Sequence, residues 1–139
     1  MRKILFALLL ATPASAAPVP KESKKDDAGR FVGEWWESRQ DNATYTDAAV
    51  ARRFTFDAEG GLGIRQNAGA APSDYTVAID RTTAVPTFLL KAKVGGTSYI
   101  ASYRLDADTL AFALTDPGKP LAEIKPSAGG IFYELKRLR

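Results

Sequence analysis

With no histidine and no cysteine among its 139 residues, this chain has few ways to do covalent or acid–base chemistry. Composition excludes a Ser-His-Asp triad, an imidazole base, a thiol nucleophile and a thiolate or imidazole metal site. Carboxylates remain. Glu34 and Glu37 flank two tryptophans, but three residues apart in an extended segment they point to opposite faces and do not converge as an acid–base pair. Asp106 and Asp108 share parity in a short turn, where side-chain capping of the backbone accounts for them without calcium. Gly60-Gly61-Leu62-Gly63 is not a phosphate loop: the dinucleotide spacing fails at Gln66, and no helix follows. Asn42-Ala43-Thr44 matches a glycosylation sequon, which needs a eukaryotic host that nothing else in the chain supports. No catalytic residue, metal site or cofactor is expected, and the chain reads as a non-enzyme.

Tyrosine offers a different chemistry. Tyr75, Tyr99, Tyr103 and Tyr133 all fall on the apolar parity of alternating segments. A buried Tyr needs a partner for its hydroxyl. Four on one interior face, with Phe112 beside them, outline a pocket for a small apolar or aromatic ligand. The competing reading is that these rings merely fill a narrow interior.

The elements that position them are short strands. The stretch Tyr99–Leu114 alternates through Tyr99, Ala101, Tyr103 and Leu105, turns at Asp106-Ala107-Asp108, and resumes with Leu110, Phe112 and Leu114. A period of two bounded by turn residues marks half-buried antiparallel strands. The same pattern recurs in Glu34–Arg39, Ala51–Asp57, Leu62–Gln66, Tyr75–Ile79, Thr87–Val94, Leu121–Lys125 and Ile131–Leu135. Gly95-Gly96 and Gly129-Gly130 supply turns. Asn42–Val50 fits neither a strand nor a clear helix. Eight to nine short antiparallel strands predict an all-β domain, either a closed barrel or, as the alternative, a β-sandwich.

One pair of motifs favours closure. Gly33-Glu34-Trp35 opens the first strand, and Arg137 shares parity with Ile131, Tyr133 and Leu135 in the last. Trp35 would plug the barrel floor, with the Arg137 guanidinium stacked on its ring. Here the chain resembles the small secreted lipocalin-like domain family expanded in planctomycetes, which has no assigned function. The resemblance rests on Phe31-Val32-Gly33-Glu34-Trp35, Phe54-Thr55-Phe56-Asp57, Tyr103–Leu110, Pro117-Gly118-Lys119-Pro120, Gly129-Gly130 and Leu135-Lys136-Arg137. It departs at Ala107, where the family usually has Gly, and between Gln40 and Ala51. It implies a lipocalin-like barrel and export, and names no ligand.

The chain's first residues also read as an export signal. Arg2 and Lys3 precede the apolar run Ile4–Ala11, and Ala14-Ser15-Ala16 is a small-residue cleavage site. The run spans about 12 Å as helix, far short of the roughly 30 Å membrane core. Residues 1–16 are therefore expected to be a signal peptide, 17–29 a flexible leader and 30–139 the barrel domain. Loss of Arg2 and Lys3 brings the net charge from +3 to about +1, so no basic stripe points to nucleic acid. The expected product is an exported, periplasmic or extracellular binding protein without a transmembrane segment. Its partner would be a small molecule in the barrel. The alternative is an envelope interaction or inhibitor module with a filled barrel and no ligand.

Overall fold

The computed structural model describes residues 27–67 and 69–139. The expected signal peptide, and the leader up to residue 26, lie outside them. A short helix, α1 (Asp27–Phe31), leads into nine strands: β1 (Gly33–Gln40), β2 (Ala43–Thr44), β3 (Arg53–Phe56), β4 (Gly61–Arg65), β5 (Ser73–Asp80), β6 (Thr87–Ala92), β7 (Ser98–Leu105), β8 (Thr109–Thr115) and β9 (Ile131–Arg137). Consecutive strands pair from β3 to β9, and β1 pairs with both β3 and β9. The sheet therefore closes into an eight-stranded antiparallel barrel, with the two-residue β2 as an extra strand on β1. A single sheet that returns to its own first strand is not a sandwich. Closure leaves no long edge to template aggregation.

The alternating segments become strands because one parity has somewhere to be buried. Phe54, Phe56, Phe88, Leu90, Ala101, Tyr103, Leu110, Phe112 and Leu135 all lie in the interior. Their outward neighbours Thr55, Leu89, Lys91 and Arg104 are exposed. Register carries the rule between strands: Tyr103 sits opposite Phe112, and Phe112 opposite Tyr133, so three inward rings form one row.

Three expectations change. Asp27–Gly29, assigned to the leader, belong to α1, and the buried Asp27 moves the domain's start to at least that residue. Leu121–Lys125 is not a strand. β8 already pairs with β7 on one side and β9 on the other, so no edge is free to accept it. The segment passes instead over the outside of the wall, where Ala122 donates its N–H to Thr115 Oγ1 at 3.2 Å. It lies beside Ser102, which with Ala113 and Phe132 forms a buried outward row; the Arg39 guanidinium lies over the Phe132 ring at 5.7 Å. Finally, the unplaced Asn42–Val50 contains β2, a stub that turns back on the end of β1.

One end of the barrel is sealed. α1 drives Phe31 into the interior, where its ring meets Phe56, Phe88 and Tyr103 edge-on with centroids 5.1–5.9 Å apart. Trp35 is fully buried and donates its indole N–H to the Phe31 carbonyl at 2.9 Å. Arg137, its cross-strand neighbour, places its guanidinium carbon 4.2 Å from the indole centroid. That guanidinium also donates to the carbonyls of Arg30, Val32 and Ala107, at 2.6, 3.1 and 3.3 Å. It thus satisfies backbone acceptors at the end of α1 that have no partner in the helix. Gly33 is required on two counts. Its φ of +131° disfavours other residues, and a Cβ there would lie 3.0 Å from Arg137 Nη1.

Trp35→Ala should cost about 3–5 kcal/mol, since it empties a fully buried site. Arg137→Ala should cost less, roughly 1–2 kcal/mol for the stacking and the carbonyl bonds. Arg137→Lys should recover only part of that, because a compact ammonium neither stacks as a plane nor spreads its donors in a planar fork. Urea denaturation of the three variants checks the order; an Arg137→Ala loss equal to that of Trp35→Ala would contradict it.

Candidate functional site

The other half of the barrel is not filled. A cavity of about 190 Å³ lies above the sealed floor. Its walls are Phe54, Phe56, Leu62, Ile64, Phe88, Leu90, Phe112 and Leu114, with Ile131 beside them. Polar groups are fewer: Arg52, Gln66, Ser73, Tyr75, Tyr99 and Tyr133. The barrel registers bring them together, with Leu62 opposite Tyr75, Leu90 opposite Tyr99 and Phe54 opposite Ile64. A cluster of rings stiffens the wall: Phe112 stacks on Tyr133 at 5.1 Å, Phe88 meets Phe112 at 5.5 Å, and Phe54 meets Tyr133 at 6.1 Å. Such contacts add roughly 0.5–1.5 kcal/mol each beyond area burial.

Of the five residues expected to outline a pocket, Tyr75, Tyr99, Phe112 and Tyr133 line this cavity, and Tyr103 does not. Parity places Tyr103 correctly inside but says nothing about height along the barrel. Four residues from Tyr99 along β7 carry the chain about 13 Å, into the floor. There Tyr103 packs on Phe31 and donates its hydroxyl to Asp27 Oδ2 at 2.5 Å. Asp27, only 2% exposed, also receives the guanidinium of Arg81 and a longer contact from Arg30 at 3.4 Å. Burial pushes the Tyr103 hydroxyl well above its ordinary pKa, and the bond to the Asp27 carboxylate adds to the effect. This is a pinned, ionic floor.

A second polar cluster adjoins the cavity. Glu37 shares inward parity with Trp35 on β1 and is 2% exposed. Arg52, one residue before β3 and in phase with Phe54, holds Nη1 3.4 Å from Glu37 Oε1. That oxygen has no hydrogen-bond partner among the described residues. Burial raises the Glu37 pKa above its ordinary value, and the nearby Arg52 charge only opposes the rise. Tyr133 is raised too, chiefly by burial and further by the Glu37 and Asp41 charges, while Arg52 lowers it. The signal for this pair was in the sequence: two charged residues on the buried parity of strands that otherwise bury Trp and Phe.

The carboxylates weighed for metal or acid–base chemistry stay apart. Glu34 pairs with Arg53 at 3.8 Å, and Asp108 pairs with Arg137 and Arg139 at the chain's end. Among the described residues no group of three or more acidic side chains is arranged to hold a metal ion. Comparison with protein families, curated proteins and solved structures finds no match for this chain.

The Glu37 shift has a consequence for stability. A carboxyl whose folded pKa lies above its unfolded value stabilises fully below the unfolded pKa and loses that contribution as pH rises through the folded one. Glu37→Gln removes the penalty of a buried charge. The variant should therefore melt above the parent at neutral pH, with the gap closing as pH falls towards about 4. Thermal melts across that range check the sign; a gap that widens on acidification would contradict it.

Proposed function

We propose that this chain is an exported, lipocalin-like carrier or sensor that holds one small, mainly apolar or aromatic molecule in the open half of its barrel. The observation that carries this reading is the cavity between Phe88, Leu90 and Phe112, rimmed by three tyrosines. Its size narrows the occupant. An apolar cavity of about 150 Å³ takes up benzene, whereas pockets for drug-sized ligands run from roughly 300 Å³ upward. At about 190 Å³, the chamber suits a single ring with one or two substituents. A module that works only through its outside would have no use for an unfilled interior, so the cavity favours the binding reading over the inhibitor reading.

Export rests on the Arg2–Ala16 signal pattern and on the resemblance to the secreted lipocalin-like family. Among the described residues no helix is long and apolar enough to cross a membrane. The chemistry proposed is reversible binding rather than catalysis, in keeping with a chain that lacks His and Cys.

Indole serves as a probe of suitable size. On titration it should shift the amide resonances of Phe88, Leu90 and Phe112, and Leu114→Trp, which puts a ring into the chamber, should abolish those shifts. Unchanged spectra in the parent, or equal shifts in the variant, would overturn the reading.

A further inference from the structure

Arg52 is the only charged side chain lining the chamber among the described residues. It stands between two environments. On one side is the apolar cavity, and on the other is Glu37, which is buried, does not line the cavity and lies 3.4 Å from the guanidinium. The Arg52–Glu37 contact is an ion pair without a hydrogen bond to the nearer oxygen. A guanidinium carries five N–H donors in a planar fork, more than its contacts with Glu37 and the Tyr133 hydroxyl use. We propose that the ligand of the chamber carries an anionic oxygen group, a carboxylate on a single ring, and that Arg52 receives it while Glu37 is the counter-charge that positions the guanidinium in the empty protein. This rests on the reading of the cavity as a binding site.

The charge arrangement discriminates among ligands. A cationic molecule would meet Arg52 with no acid lining the chamber to offset it. A neutral donor does not meet the carboxylate of Glu37, which does not line the chamber. A carboxylate meets a fork that matches its geometry, in apolar surroundings that strengthen the contact. The hydroxyls of Tyr133 and Ser73 lie on the same lining and are able to donate to it.

Binding should also be linked to protons. With an anion seated, two carboxylates share one guanidinium, and the buried one is the more costly to keep charged. The groups facing Glu37 are Arg52, ahead of β3, and Tyr133 on β9, with the Asp41 charge adding to the field at Tyr133. Glu37 is thus the group that takes up the proton, and the complex tightens on acidification.

The test is titration of the full chain with benzoate and with toluene, a ring of like size without the charge, near pH 5 and at about pH 8. Arg52→Gln should weaken benzoate by roughly tenfold or more while leaving toluene within about twofold, the loss of a charge-assisted bond rather than of the chamber. Toluene binding also reports that the variant is folded. Benzoate should bind the parent more tightly near pH 5, and Glu37→Gln should bind it equally at both values. Equal benzoate affinity in parent and Arg52→Gln overturns the inference, as does toluene binding without benzoate binding. A parent-like pH dependence in Glu37→Gln overturns the role given to Glu37. Binding of neither probe overturns the cavity reading, and this inference with it.

Discussion

The seam between β1 and β9 carries the architecture, because these strands come from opposite ends of the domain and must meet before the sheet has an inside. Trp35 pairs with Arg137 across that seam, and Glu37 with Leu135. The loop that this pairing closes spans nearly the whole domain, and its entropic cost rises only slowly with length. Burial of Trp35 and Leu135, both fully shielded from solvent, offsets it where the seam forms. The Arg137 guanidinium then does two things at once, covering the indole and bonding the carbonyls that end α1. Closure of the sheet and closure of the floor are in this sense one event.

From that seam follows an unequal division of the interior. The floor is crowded by a helix that inserts Phe31 and by an ionic cluster in which Asp27 accepts from Tyr103 and Arg81. Among the described residues, no helix enters the other end. Rings there lean on one another along the wall and leave the centre open. A buried ion pair contributes little net stability, since desolvation consumes most of the attraction. Asp27 is bonded to Tyr103, Arg81 and Arg30, which anchors α1 to the barrel. Glu37 keeps an oxygen with no hydrogen-bond partner among the described residues, which a purely structural role does not require.

Parity made the strands legible, and parity is also where legibility stopped. Alternation at Phe54/Phe56, Phe88/Leu90 and Tyr103/Leu105 placed the inner face correctly, because a closed barrel buries only one face along most of its wall. It misjudged places where a second layer covers the outside. Ser102 and Phe132 point outward yet are buried, Ser102 beside the segment that had read as a strand at Leu121–Lys125 and Phe132 beneath the Arg39 guanidinium. Parity likewise says nothing about height, which is why Tyr103 was grouped with the lining of a cavity that it does not reach. Asp27 carried no local signal at all: its burial comes from Tyr103 and Arg81, both more than fifty residues away. Glu37 and Arg52 were visible as charges on a buried parity, but their convergence depends on the pairing of β1 with β3.

An open chamber above a sealed floor is the claim from which the functional reading derives. Xenon occupies apolar cavities without needing any polar contact, so it tests the space apart from the identity of a ligand. A crystal of the protein under xenon pressure should show one site among Phe88, Leu90 and Phe112, with none beneath Trp35. A chamber without xenon, filled by side chains from its own walls, would contradict the account.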